Sequence, residues 1–150
     1  MAQSLSQVIV HLVFSTKNRQ PLLQDAWRPD LHAWIGGIVR DLDGSLVAAG
    51  SVADHIHLLI HMPRTETMAR LVAAIKTGSC HWIQRQNPAL ADFHWQAGYG
   101  VFSVSISQRK SVEEYINTQA EHHRHVSFQD EFRAFCARHE LQLDERYAWE

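Results

Sequence analysis

This sequence of 150 residues has only two cysteines, no long apolar run and little net charge. Its two cysteines, Cys80 and Cys136, lie far apart in helix-like segments, so a disulfide framework is not expected. No stretch reaches the roughly 18 consecutive apolar residues of a membrane-spanning helix, and residues 1–7 lack the pattern of a secretion signal. These absences predict a cytoplasmic protein that needs neither disulfide nor structural metal to fold.

The net charge of −2 argues against a protein that coats nucleic acid without regard to sequence, since such proteins are strongly basic. The charge is distributed unevenly. Residues 55–110 contain six basic residues and two acidic ones, whereas residues 126–150 contain six acidic and three basic ones. A local basic face can bind phosphates in a slightly acidic chain, although the same pattern also suits a solvated helix face.

Hydrophobic periodicity predicts a single domain over residues 1–150. Apolar runs indicate strands, and apolar residues recurring every three and four positions indicate amphipathic helices. The predicted elements are a strand at 7–14, a helix at 27–42, strands at 46–52 and 54–60, a helix at 68–87 and a strand at 101–107. This order, β-α-β-β-α-β, predicts an α+β protein with the ferredoxin-like split βαβ topology and a four-stranded antiparallel sheet.

Two further helices are predicted after the fourth strand. Ser111 followed by Glu114 resembles a capping box, which predicts a helix that starts near Ser111 and carries Tyr115 in its first or second turn. A helix N-terminus so close by would favour a phenolate at Tyr115. Ser127 with Asp130 predicts the start of a final helix that ends near His139.

The candidate chemistry lies in two spacings. In the third strand, His55 and His57 should point to one face because side chains alternate along a strand. In the helix predicted after the fourth strand, Tyr115 and Gln119 are four residues apart and share one stripe, on which His122 also lies. If that stripe faces the histidine pair, an amide oxygen completes a three-ligand metal site beside a phenol. A chain with eleven histidines contains such pairs by chance, so the combination carries the prediction.

A phenol beside a cation is better suited to phosphodiester cleavage than to peptide hydrolysis. The cation stabilises the phenolate nucleophile and polarises the phosphoryl oxygen. A phosphotyrosine intermediate conserves the energy of the broken bond, which suits rejoining of that strand to another hydroxyl.

In its motifs and their order the chain resembles the single-tyrosine transposases of the HUH class, the insertion-sequence-200-like family. The resemblance runs from about Val8 to Asp130. The matching features, in chain order, are Lys17 and Arg19, the triplet His55, Ile56 and His57, the run from Trp95 to Ser105, Tyr115 with Gln119, and His122 with His123.

The resemblance implies a prokaryotic enzyme that cuts and rejoins single-stranded DNA at hairpin-flanked ends through a 5′-phosphotyrosine. It implies that Tyr115 is the nucleophile and that His55, His57 and Gln119 bind Mg²⁺ or Mn²⁺. Imidazole ligands more often bind softer metals such as Zn²⁺, so the metal's identity follows from the family alone. The resemblance also implies a homodimer with composite sites, in which the tyrosine helix of each subunit completes the other's histidine site.

Several other residues are candidates for supporting roles. Lys17, Arg19, Arg109 and Lys110 are predicted to contact DNA phosphates, although basic turns are commonly just solvated. His11, on the neighbouring central strand, is within reach of the histidine pair and is a candidate for orienting a ligand ring. His122 or His123 could assist Gln119 or replace it, although we expect both to face solvent.

Three other functions remain open at the level of sequence. A domesticated or inactive descendant would bind DNA hairpins as a dimer without cutting them. A metal-dependent hydrolase would use an activated water and would keep its activity without the Tyr115 hydroxyl. A purely structural ferredoxin-like module would need neither metal nor histidine pair.

Overall fold

A computed structural model describes residues 2–123 and 125–150 of the chain. Within these residues it contains four strands and five α-helices, joined by short loops and single 3₁₀ turns. The elements are β1 (Ile9–Ser15), α1 (Arg28–Asp41), β2 (Ser45–Ser51), β3 (His55–His61), α2 (Met68–Gln86), β4 (Gly100–Val104), α3 (Arg109–Asn117), α4 (Gln119–His122) and α5 (Phe128–Arg138).

The strands form one antiparallel sheet in the order β2-β3-β1-β4. This confirms the predicted α+β fold with ferredoxin-like topology. β1 is buried along its whole length, as its uninterrupted apolar sequence predicts for a central strand. In the register of β1 and β3, Ser15 lies opposite His55 and Ile9 lies opposite His61.

One face of the sheet packs against α1 and α2 and forms the larger core. Strand alternation directs Ile56, Leu58 and Ile60 of β3 to this face, where each is fully buried. Trp95 joins the same core and donates from its indole nitrogen to Ser79 Oγ at 2.9 Å. Of the described helices, none is long and apolar enough to span a membrane.

The opposite face of the sheet, called the inner face below, is covered by the elements that follow β4. Leu59 of β3 packs with Ile9 and Ile116 in a small apolar cluster, and an aromatic cluster around Phe102 and the residues of α5 lies beside it. His55 and His57 occupy the same face as Leu59. The larger core therefore stabilises the sheet from one side, and the other side carries the polar groups.

The helix boundaries differ from the prediction at the tyrosine. α3 begins at Arg109, so Ser111 lies inside the helix and the predicted capping box does not form. Tyr115 consequently lies nearly two turns from the helix start, too far for the free amides to favour a phenolate. The predicted continuous helix is also interrupted at Thr118, whose backbone angles (φ −110°, ψ 26°) are not helical and separate α3 from α4. Ser127 does cap α5 as predicted, by accepting from the Asp130 amide at 3.2 Å.

Gly50 of β2 lets the tyrosine helix approach the sheet. It lies opposite His57 in the sheet register. A Cβ atom at position 50 would lie 2.0 Å from the carbonyl oxygen of Ile116, which is backbone and cannot turn aside. The absence of a side chain at Gly50 therefore sets the height of α3 above the sheet.

Replacing Gly50 with alanine should lower the free energy of unfolding, because α3 must move away from the sheet. Overpacking of this kind costs about 1–3 kcal/mol. Gly36→Ala in α1 is the control, since its Cβ would meet its nearest atom, Leu46 Cδ2, at an ordinary 3.6 Å. It should raise the free energy of unfolding by about 0.5–1 kcal/mol through helix propensity. Urea unfolding measures both, and equal effects would contradict the close approach.

Candidate active site

The histidine pair lies on the inner face of the sheet, beneath α3 to α5. His55 and His57 are both buried, and the alternation of β3 turns both rings to this face as predicted. On the adjacent strand, Nε2 of His11 lies 2.7 Å from Nδ1 of His57. The contact expected of His11 is therefore present, while its role in orienting a ligand ring stays a prediction.

Tyr115 points into the same region from α3. The Tyr115 hydroxyl donates its proton to Glu131 Oε2. His122 Nε2, 2.9 Å from the phenol oxygen, is therefore the donor in its hydrogen bond to Tyr115. Gln119 is buried and donates from Nε2 to the Tyr115 carbonyl at 3.1 Å. Its Oε1 has no hydrogen-bond partner among the described residues, so this acceptor is still available.

Glu131 of α5, which the sequence did not lead us to expect, stands at the centre of the site. It is 4% exposed and contacts several polar side chains. Oε1 accepts from His57 Nε2 at 2.8 Å, and Oε2 accepts from His123 Nε2 at 3.0 Å and from the Tyr115 hydroxyl. His122 Nε2 is 3.3 Å from Oε2.

A signal for Glu131 is present in the sequence. Phe128, Phe132 and Phe135 form an apolar stripe at helical spacing, and Glu131 lies within that stripe. A carboxylate on the buried face of a helix needs donors close by. The prediction that His123 faces solvent is wrong, because its side chain is 9% exposed and contacts both His55 and Glu131.

The hydrogen bonds at Nδ1 of His55 and of His123 determine which nitrogen of each ring carries the proton. Nδ1 of His55 donates to Asp54 Oδ1 at 2.6 Å, and Nδ1 of His123 donates to the Val126 carbonyl at 2.6 Å. If both rings were neutral, each would carry a lone pair on Nε2. Yet the two Nε2 atoms face each other at 2.9 Å. Two lone pairs at this distance repel, so without a metal His123 carries a proton on each nitrogen, and its Nε2 faces His55 Nε2 and Glu131 Oε2 as a donor. A bound metal cation would take the place of the proton on Nε2.

The donor set fits a metal ion. Ligand atoms of His55, His57, His123 and Glu131 all lie within 4.8 Å of one another. Bonds of about 2.0–2.1 Å in a tetrahedral site separate ligand atoms by about 3.3 Å, close to the spacings seen here. Imidazoles oriented by a carboxylate or carbonyl on Nδ1 are typical metal ligands. Gln119 remains a predicted ligand through its unpaired Oε1.

Burial and charge determine which of these groups is ionised without a metal. Burial lowers the pKa of His11 to about 3 and that of His57 to about 4, so both are neutral near pH 7. Burial opposes ionisation of Glu131, but hydrogen bonds from His123 and His57 outweigh it and hold its pKa far below the ordinary value. Burial and the Glu131 charge raise the pKa of Tyr115, so the phenol keeps its proton.

A cavity of about 450 Å³ between α3 and α5 leads to the phenol. Ser111, Tyr115, His122 and Arg138 are among its lining residues, and Val112 and Phe135 give part of it an apolar wall. The nucleophile candidate can therefore be reached from outside, although the ligand atoms beneath it are buried.

The predicted DNA contacts lie at opposite ends of the sheet. Lys17 and Arg19 follow β1 at the end where Ser15 pairs with His55. β4 ends with Val104 opposite Ile9, and the turn from there leads to Arg109 and Lys110. Arg109 also pairs with Glu113 at 2.8 Å. Only the first pair is thus near the histidine end of β3.

Taken together, the fold and site define an α+β protein of ferredoxin-like topology with a histidine, glutamate and tyrosine centre. The chain belongs to the family of IS200-like transposases, whose sequence model matches residues 4–119. That membership supports a DNA-processing enzyme. The matched segment includes His55, His57, Tyr115 and Gln119 and ends before Glu131.

Solved structures show the same fold. A candidate transposase from Deinococcus radiodurans R1 has a TM-score of 0.64 and 25% identity, over 77% of this chain and 95% of that one. A REP-associated tyrosine transposase bound to a REP hairpin has a TM-score of 0.61 and 17% identity, over 84% of this chain and 76% of that one. Among curated proteins, none matches the sequence.

The buried neutral histidines predict that metal-free protein loses stability as the pH falls. His11 and His57 have folded pKa values below the ordinary 6.5, so below pH 6.5 the unfolded chain binds protons that the folded chain does not. Each can cost up to about 1.4 kcal/mol per pH unit. His123, whose pKa is raised, has already contributed its full stabilisation below pH 6.5.

Urea unfolding in a chelator at pH 6.5, 5.75 and 5.0 measures this loss. All three pH values are above 4.5, the ordinary pKa at which Glu131 titrates in the unfolded chain, so the histidines dominate the change. His11→Asn should flatten the dependence. His81→Asn, an exposed position on α2, is the matched control. Stability that stays constant or rises towards pH 5.0 would contradict the prediction.

Proposed function

We propose that this transposase cleaves and rejoins single-stranded DNA through a covalent 5′-phosphotyrosine on Tyr115, with the help of a divalent metal ion. The observation that carries the proposal is the position of the Tyr115 hydroxyl. It shares the Glu131 carboxylate with the histidines that could hold a metal. Family membership supports the reaction class.

His55 and His57 would hold the metal with His123, Glu131 and Gln119 as the further candidate ligands. Mg²⁺ or Mn²⁺ is the ion that the family resemblance implies, and when bound it would supply positive charge for the phosphoryl oxygens. Asp54 and the Val126 carbonyl accept hydrogen bonds from Nδ1 of His55 and of His123, and so fix the orientation of the two rings that would present Nε2 to the metal.

Tyr115 would act by transesterification. Its phenol oxygen forms a bond to the phosphorus while the bond from phosphorus to the 3′-oxygen breaks. The phenol gives up one proton and the leaving 3′-oxygen takes up one, so one ester replaces another without water. His122 donates to the phenol oxygen and keeps it aimed towards the cavity.

DNA hairpins near the ends of a mobile element are the proposed substrate, as in the structural neighbour that was solved with a REP hairpin. Lys17, Arg19, Arg109 and Lys110 would contact its phosphates. A homodimer with shared sites, acting in a prokaryotic cytoplasm, is the assembly that the family resemblance implies. Within one chain, however, Tyr115 already lies over its own histidines.

The direct test incubates the protein with labelled single-stranded DNA that carries a flanking hairpin, in Mg²⁺ or Mn²⁺, before a denaturing gel. Wild type should give a covalent protein–DNA band, and Tyr115→Phe should give none because it lacks the nucleophile. Tyr99→Phe is the matched control. It removes the same hydroxyl from an exposed tyrosine and should keep the band.

The alternatives give different gels. A wild type that retards the hairpin on a native gel without any covalent band would favour a descendant that only binds DNA. Cleavage that survives in Tyr115→Phe would favour a hydrolase with a metal-activated water.

The phosphate contacts can be tested through salt dependence. Lys17→Gln should weaken hairpin binding and reduce the slope of log affinity against log salt by about 0.7–0.9, the effect of one lost phosphate contact. Arg40→Gln, in the last turn of α1 on the other face of the sheet, should leave the slope unchanged. Equal slopes for all three proteins would remove Lys17 from the interface. Filter binding over a series of salt concentrations gives the slopes.

A further inference from the structure

The two oxygens of Glu131 face different partners. Oε1 is turned to the histidine pair, 2.8 Å from His57 Nε2 and 3.6 Å from His55 Nε2. Oε2 accepts from the Tyr115 hydroxyl and from His123 Nε2. A single carboxylate thus spans the distance between the metal-binding histidines and the phenol.

We propose that Glu131 is a ligand of the metal site through Oε1 and, through Oε2, the positioning residue that holds Tyr115 beside it. The proposal rests on the function proposed above. It adds a residue of α5 that lies outside the segment matched by the family, which ends at residue 119.

The case for a ligand is the charge that the site must balance. A buried carboxylate with no partner is costly, and here it is compensated by donors on His57 and His123. Those donors sit on the Nε2 atoms that would have to coordinate a metal. A divalent cation beside the same atoms would replace their protons and balance the carboxylate at least as well. Without Glu131, the neutral histidines would face that cation with no anionic ligand among them.

The case for positioning is the rigidity of the supports. Glu131 is in the first turn of α5, whose start is fixed by the Ser127 cap. Tyr115 is in α3, whose height above the sheet is fixed at Gly50. The hydrogen bond between these two supports fixes the phenol oxygen relative to the histidines. Sites held by packed helices keep their geometry better than sites on loops.

The test titrates the full-length, metal-free protein with Co²⁺ and follows visible absorption, which reports both affinity and the ligand set. Glu131→Gln keeps the shape of the side chain and removes its charge. We expect it to weaken Co²⁺ binding at least about tenfold and to change the spectrum. Asp130→Asn removes the same charge from the exposed neighbouring residue, which pairs with Arg133, and should match wild type.

Two more variants separate ligation from positioning. Tyr115→Phe should bind Co²⁺ as wild type does, because it loses only the hydroxyl. Glu131→Asp keeps the charge but shortens the side chain, so it should retain more Co²⁺ affinity than Glu131→Gln while forming less covalent DNA adduct than wild type. It also carries the test if Glu131→Gln fails to fold.

The outcomes distinguish this proposal from the proposed function. Wild-type Co²⁺ affinity and spectrum in Glu131→Gln would overturn the role of Glu131 as a ligand, whether or not DNA adduct forms. Wild-type adduct rates in both Glu131 variants would overturn its role as a positioning residue. If Co²⁺ binding depends on Glu131 but wild type forms no adduct with any hairpin, the nucleophile assignment fails and the ligand assignment stands.

Discussion

The buried carboxylate of Glu131 is the constraint on which the inner face of the molecule depends. An isolated charge in such a place would cost several kcal/mol. Its compensation comes from β3, α3 and the end of α4, through His57, Tyr115 and His123. One negative charge thus determines how three separate parts of the chain must meet, because each part supplies a hydrogen-bond donor to the same carboxylate.

The sheet supplies the rigidity that this arrangement needs. β1 and β3 are its central strands, and the face opposite to the site packs against α1 and α2 in the larger apolar core. Stability and chemistry are therefore divided between the two faces. On the inner face, apolar packing is reduced to small clusters, around Ile116 on one side and the phenylalanines of α5 on the other. Polar groups hold the intervening space.

Much of this arrangement could be predicted from local rules. Strand alternation placed His55 and His57 correctly, and the Ser127 cap located α5. Local rules failed where tertiary contacts decide. Ser111 has the sequence of a cap, yet the turn after β4 starts α3 two residues earlier. Glu131 is distant from the histidines in sequence, and its place in an apolar stripe tells that it is buried but not which groups receive it.

The alternation of β3 also determines what kinds of sequence change the strand can accept. Each residue faces the side opposite to its neighbours, so a substitution at Ile56 or Leu58 affects one face only. Loss or gain of a single residue inside the strand would reverse every position beyond it, and would bring histidines to the apolar core and isoleucines to the site. Over evolution, this strand should vary in composition while its length stays constant.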